Sequence, residues 1–150
     1  MDKEFDPSKQ FLGRTIYNLA TTDMQGLDRS SINEQCKRIV FTTKDKRRDV
    51  GYADGKLVDE IGDYSCVGGF CNYTFPEFKP FTRSILASDH STWILSSDCF
   101  EAIKDGAWYH VNNLYYFSTN PKLDETFMRS IINEKMPAMN LRHFRLINQD

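Results

Sequence analysis

Between Phe81 and Ile132 the chain alternates β-type runs with turn signals and then changes period. Thr82 to Ser88 is a short run of strand formers, broken by Asp89-His90-Ser91. Thr92 to Ser97 is a second run, ended by Asp98-Cys99. After the turn signal Lys104-Asp105-Gly106 comes a third run, Trp108 to Ser118, rich in aromatic residues. Asn120-Pro121 then stops the sheet, because proline has no amide hydrogen to donate to a ladder. From Leu123 to Met136 the apolar spacing is helical: Leu123, Phe127, Met128, Ile131, Ile132 and Met136 share one stripe. Asp124 near its start can accept orphan amide hydrogens, and Pro137 ends it. Three neighbouring antiparallel strands followed by one helix predict a β body with a single helix packed on its outside.

The rest of the chain supplies more strands. Residues 1–10 read as a polar lead-in. Thr15 to Ala20, Cys36 to Thr43, Arg48 to Tyr52, Leu57 to Tyr64 and Phe70 to Phe75 are strand-like. Asp54-Gly55 and Gly68-Gly69 mark turns between them. Pro76 and Pro80 bound a loop, and Leu141 to Ile147 is a closing strand with apolar positions 144 and 146. Thr21 to Glu34 is a polar connection of about 14 residues, long for a β protein and placed to act as a lid. Eight short strands without an internal repeat suggest a sandwich or an up-and-down barrel, in a single domain over 1–150 with its helix at 123–136.

Charge and cysteine content exclude some classes. The net charge is −2, so no electrostatic footprint for nucleic acid stands out. The basic cluster Lys44, Lys46, Arg47 and Arg48 reads as a solvated hairpin turn. No apolar run of about 18 residues is present to span a membrane. The polar start lacks the apolar core of a signal peptide, so an intracellular protein, or one whose leader has been removed, is expected. Cys36, Cys66, Cys71 and Cys99 lack zinc spacing; two disulfides in a secreted β domain are the favoured use, with three connectivities open. Cys66 and Cys71 bracket a Gly-Gly turn that they can close. Asn72-Tyr73-Thr74 is an N-glycosylation acceptor for a secreted chain.

Particular residues carry a resemblance. Phe5-Asp6-Pro7 through Phe11-Leu12-Gly13-Arg14 resembles the lipocalin N-terminal signature. Ile85 to Cys99 is similar to the family's second signature, a turn followed by an aromatic strand that ends near a cysteine. His110 to Tyr116 with Thr119 to Leu123 resembles the last barrel strand and helix entry of apolipoprotein-D-like lipocalins. The resemblance covers nearly the whole chain. It implies an all-β fold: an eight-stranded antiparallel up-and-down barrel, one C-terminal helix on its outside, and a cavity open at one end. The family's tryptophan position is Thr15 here, so the usual plug at the closed end is missing. Arg142 or Arg145 takes the place of its basic partner, with Tyr17 as the aromatic candidate. The family's outer cysteines are also missing, and the pairings expected in their place are Cys36–Cys99 and Cys66–Cys71.

The resemblance implies a carrier, not an enzyme, that buries a small hydrophobic ligand: a carotenoid, retinoid, bilin, fatty acid or sterol. Expected wall residues are Tyr17, Phe41, Tyr52, Tyr73, Trp93, Leu95, Tyr115 and Phe117. Aromatic walls favour a flat conjugated ligand, since rings stack. No metal and no cofactor other than a bound pigment or lipid is expected, and a homo-oligomer remains open. His90 falls in a turn, and His110 reads as an ordinary wall residue against a haem or cavity role. Asp59 and Glu60 point to opposite faces of a strand, which suits solvent better than catalysis. Asp23, Asp28 and Glu34 in the long loop are candidates for selecting a cationic ligand. Two rivals stand beside the carrier. One is an enzyme on the same barrel, such as an isomerase or a pigment-modifying enzyme like the violaxanthin de-epoxidases. The other is a protein-binding module with its barrel packed shut.

Overall fold

The computed structural model describes residues 1–22, 34–76, 80–138 and 144–149, with side chains described at all of these except 99–104, 109–112 and 144–145. Its strands are β1 (Thr15–Thr22), β2 (Glu34–Phe41), β3 (Lys46–Ala53), β4 (Lys56–Val67), β5 (Phe70–Thr74), β6 (Phe81–Ser88), β7 (Trp93–Lys104), β8 (Ala107–Ser118) and β9 (Phe144–Leu146). Helix α1 is Pro7–Gln10 and helix α2 is Glu125–Lys135. Every strand from β2 to β8 pairs antiparallel with its sequence neighbour. β1 closes the sheet, pairing with β8 on one side and β2 on the other. The result is the expected eight-stranded antiparallel barrel. β9 adds to the far end of β1, opposite Ala20 to Thr22, beyond the Thr15 to Tyr17 segment that meets β2.

Turn chemistry sets the register. Asp54-Gly55, Gly68-Gly69 and Asp105-Gly106 are two-residue connections, all with positive φ. That is the turn whose twist matches antiparallel strands, and it needs residues tolerant of the left-handed region. The Asp105-Gly106 turn holds β7 and β8 in unbroken register from Lys104↔Ala107 to Trp93↔Ser118. The second strand of the Phe81–Ile132 stretch therefore runs through Asp98-Cys99 instead of ending there.

The lead-in is ordered. Asp6 caps α1 by accepting from the Ser8 amide, and Pro7 occupies the first helical turn. This short helix holds Phe5 and Phe11 against each other, 5.8 Å between ring centroids, inside the closed end of the barrel. Phe11 is fully buried beside Ile16, Phe41 and Phe117, so two phenylalanines fill this end of the barrel. The strap is tied down by Asp2 N–H to the Ile85 carbonyl (2.8 Å) and by Arg14 Nη1 to the Ser91 carbonyl (2.8 Å). The Asp2 carboxylate accepts from Ser88 Oγ and lies 2.9 Å from His90 Nε2. Asp89 caps the β6–β7 turn, accepting from the Ser91, Thr92 and Trp93 amides.

Helix α2 lies on the outer wall. Asp124 accepts from the Phe127 amide at its N-cap, and Glu125 and Lys135 match the two ends of its dipole. Met128, Ile131 and Ile132 bury against Leu19, Leu95, Leu114 and Tyr116, while Phe127 meets Trp93 edge to face.

Of the two expected disulfides, Cys66–Cys71 is present, across the β4–β5 ladder. Cys36 is a thiol, which overturns the Cys36–Cys99 pairing. β1 and β8 stand between β2 and β7 in the barrel wall. Strands are about 4.8 Å apart, so the two cysteines are separated by far more than a disulfide can bridge. The lid residues 23–33, together with Arg142 and His143, lie outside the described residues, as do the side chains of Cys99, His110 and Arg145.

Two predictions concern this frame. A Cβ at Gly62 would stand 2.6 Å from the Phe75 ring and 2.7 Å from the Thr74 carbonyl oxygen. Gly62→Ala is expected to destabilise the barrel by about 1–3 kcal/mol, read as a lower urea midpoint. The carboxyls of Asp2 and Asp89 are both held below their ordinary value of 3.8: burial is the largest influence and raises them, but the hydrogen bonds described above outweigh it. Their stabilisation is complete above the unfolded value and is lost as pH falls through the lower folded values. Between about pH 5 and pH 2.5, Asp2→Asn and Asp89→Asn should each flatten the fall in urea midpoint seen in the parent protein.

Candidate functional site

The pleat of each strand sends alternate side chains inward and outward. Phe41, Tyr64, Tyr73, Phe75, Ile85, Ile94, Tyr115 and Phe117 form the inward set with the Phe5–Phe11 plug. The rings are ordered: Tyr115 stacks on Phe117, and Tyr73 and Phe75 both lie parallel to Phe81. Tyr64 donates its hydroxyl to the Thr43 carbonyl at 2.8 Å; burial, then Asp6, pushes it up to about 12.

Two arginines share this interior. Arg47 is only 3% exposed, and its guanidinium makes two bonds to Asp49, at 2.6 and 2.9 Å. It also lies over the Tyr73 and Phe75 rings, 4.5 and 5.9 Å from their centroids. Burial is the largest influence on Arg47 and pulls its pKa down, but Asp49 and Tyr73 reverse the sign and hold it above the ordinary value. Arg83 lies 4.0 Å from the Tyr115 centroid and 5.1 Å from that of Phe81. Its Nε is buried without a hydrogen-bond partner, and no carboxylate pairs with it among the described residues. Ser96 Oγ, on the inward face of β7, is likewise buried and unbonded.

Phe41, Arg47, Tyr73, Arg83, Ile85, Ile94, Ser96 and Phe117 surround a hollow of about 10 Å³, room for one water. The closed half of the barrel is therefore nearly full of its own side chains. A larger hollow of about 310 Å³ lies outside the barrel, where Trp93, Tyr116, Asp124 and Phe127 meet at the start of α2. Burial, then Asp124 and Asp89, pushes Tyr116 up to about 12.

The eight expected wall residues separate by face. Phe41, Tyr73, Tyr115 and Phe117 meet in the interior. Tyr17, Trp93 and Leu95 are on the other side of the wall, packed in the cluster beneath α2. Tyr52 is 43% exposed on the outer face of β3. The mistake has a physical source. On β7 the outward positions carry the larger apolar side chains because a helix covers them, while the inward ones are Ile94, Ser96 and Asp98. Arg47 and Arg83 are the inward residues that the sequence reading missed. For Arg47 the available signal was period two: Arg47, Asp49 and Gly51 alternate with Lys46, Arg48 and Val50 on one strand. Arg48 faces outward and pairs with Asp59, as a solvated residue should.

No protein-family model matches the chain, and no curated protein matches it in sequence. Solved structures do match. Lobster apocrustacyanin A1 superposes with a TM-score of 0.70 at 17% identity, covering 96% of this chain and 81% of the other. Insecticyanin from the tobacco hornworm Manduca sexta gives 0.71 at 15% identity, covering 97% and 82%. A mutant of LTBP1 in complex with leukotriene C4 gives 0.60 at 16% identity, covering 97% and 88%. The likeness establishes a lipocalin-like barrel.

The Arg47–Asp49 pair yields a test of the interior. Asp49→Asn leaves a buried guanidinium without its carboxylate and is expected to cost about 3 kcal/mol in urea unfolding. Replacing both partners, Arg47→Met with Asp49→Leu, should be milder than the single change, because no charge is then left stranded.

Proposed function

We propose that the protein binds and carries a small, mainly apolar molecule in the barrel interior. The observation that carries this reading is the kind of interior the barrel has. A core closed only for stability gains from apolar groups or fully bonded polar ones, and each buried unbonded group costs about 1–3 kcal/mol. Here Arg83 Nε and Ser96 Oγ are unbonded among aromatic rings. Groups of that kind are useful when a ligand arrives to bond them. Phe41, Tyr73, Tyr115 and Phe117 are the wall this reading assigns. The stacked Tyr115 and Phe117 rings favour a flat conjugated body, such as a retinoid, carotenoid or bilin, over a fatty acid or sterol.

Three further points support it. Barrels of this size are suited to hold one small ligand. The Cys66–Cys71 disulfide fits an oxidising compartment, so the carrier is read as extracellular, with a last barrel strand and helix entry like those of apolipoprotein-D-like lipocalins. Among similar structures, a mutant of LTBP1 was solved in complex with leukotriene C4. Binding rather than catalysis is the reading, since the interior groups act by orientation and stacking.

The small hollow favours a second reading, a closed barrel that acts through its surface as a protein-binding module. A neutral fluorescent probe, N-phenyl-naphthylamine, separates the two. The carrier should take up one probe per chain with enhanced emission. Tyr115→Leu and Phe117→Leu should weaken uptake several-fold, whereas Trp93→Leu, on the outer wall, should leave it unchanged. Folded protein that takes up no probe would overturn the carrier reading in favour of the closed barrel.

A further inference from the structure

Resting on the carrier reading, we infer that the ligand ends in a carboxylate and that Arg83 is the residue that receives it. The two interior arginines are not equivalent. Arg47 has its fork filled by both oxygens of Asp49 and is already neutralised. Arg83 has only the ring faces of Tyr115 and Phe81 beside it. A guanidinium stacked on rings keeps its edge available for hydrogen bonding, and the edge presents its donors in the geometry that a carboxylate fits.

Position agrees with charge. Arg83 lies on the inward face of β6, two residues from Ile85, whose side chain lines the same hollow as Phe117 and Ile94. A flat apolar body lying along the Tyr115–Phe117 stack would bring a terminal carboxylate to Arg83, with Ser96 Oγ as a second donor on the facing strand. Asp98 also occupies an inward position on β7, two residues beyond Ser96. The inward carboxylates Asp49 and Asp98 leave this end no general attraction for anions. Selection would come from the directed bond to one guanidinium, not from bulk field.

The test compares parinaric acid with its methyl ester, which share one fluorescent polyene and differ only at the end group. The parent protein should bind the acid about tenfold more tightly than the ester at neutral pH. Arg83→Gln should remove that preference by weakening the acid and leaving the ester as it was. Arg129→Gln, which removes an exposed helix cation, should alter neither. Equal binding of acid and ester by the parent, or a preference that survives Arg83→Gln, would overturn the inference while the carrier reading stands. Binding of neither would overturn both. Folding of the variant is checked independently: Arg83→Gln loses only two ring contacts and should keep one cooperative urea transition with a midpoint close to that of the parent.

Discussion

The architecture depends on β1 forming hydrogen bonds on both edges at once. Along one side it pairs with β8; along the other it meets β2 at its start and β9 at its end. Remove that double pairing and the sheet has two open edges, each a row of unsatisfied amides and carbonyls. The irregularity between Asn18 and Ala20 is where β1 changes partner, and Leu19 turns outward there to join the cluster beneath α2. One strand thus fixes barrel closure, the position of the helix and the separation of the inner and outer apolar sets.

That separation explains why both faces of the wall are apolar. Inside, rings fill the cup; outside, α2 shields a second cluster around Leu95, Leu114 and Tyr116. β8 is buried on both sides from Asn113 to Phe117, so its sequence shows no polar face at all. Period two then carries no information about which side is the interior. The choice between Trp93-Leu95 and Ile94-Ser96 on β7 was undecidable from that strand alone, and Trp93 misled because a large ring is equally at home under a helix.

What was legible followed from local chemistry. Asp-Gly and Gly-Gly turns placed three hairpins, the Leu123–Met136 stripe and Asp124 placed α2, and the Phe5 to Arg14 motif pointed to the barrel. What was not legible involved partners distant in sequence. Arg47 sits among Lys44, Lys46 and Arg48; period two separates it from Lys46 and Arg48 but does not say which face is the interior. It becomes an interior residue because strand pairing brings Tyr73 over it, while Asp49 is two positions along its own strand. The lead-in misled in the opposite sense. Its polar composition suggested a tail, yet Phe5 within it and Phe11 just after it are among the least exposed of the described residues.

Those phenylalanines have an implication for how the chain assembles. Phe5 and Phe11 precede every strand in the sequence, but the floor they stopper is built from Phe41, Ile94 and Phe117, the last of them more than a hundred positions later. Until β8 has emerged and joined β1, the stopper has no bottle. These two rings have no complete floor to dock on until strands far along the chain have paired, and their docking registers that the cup has shut.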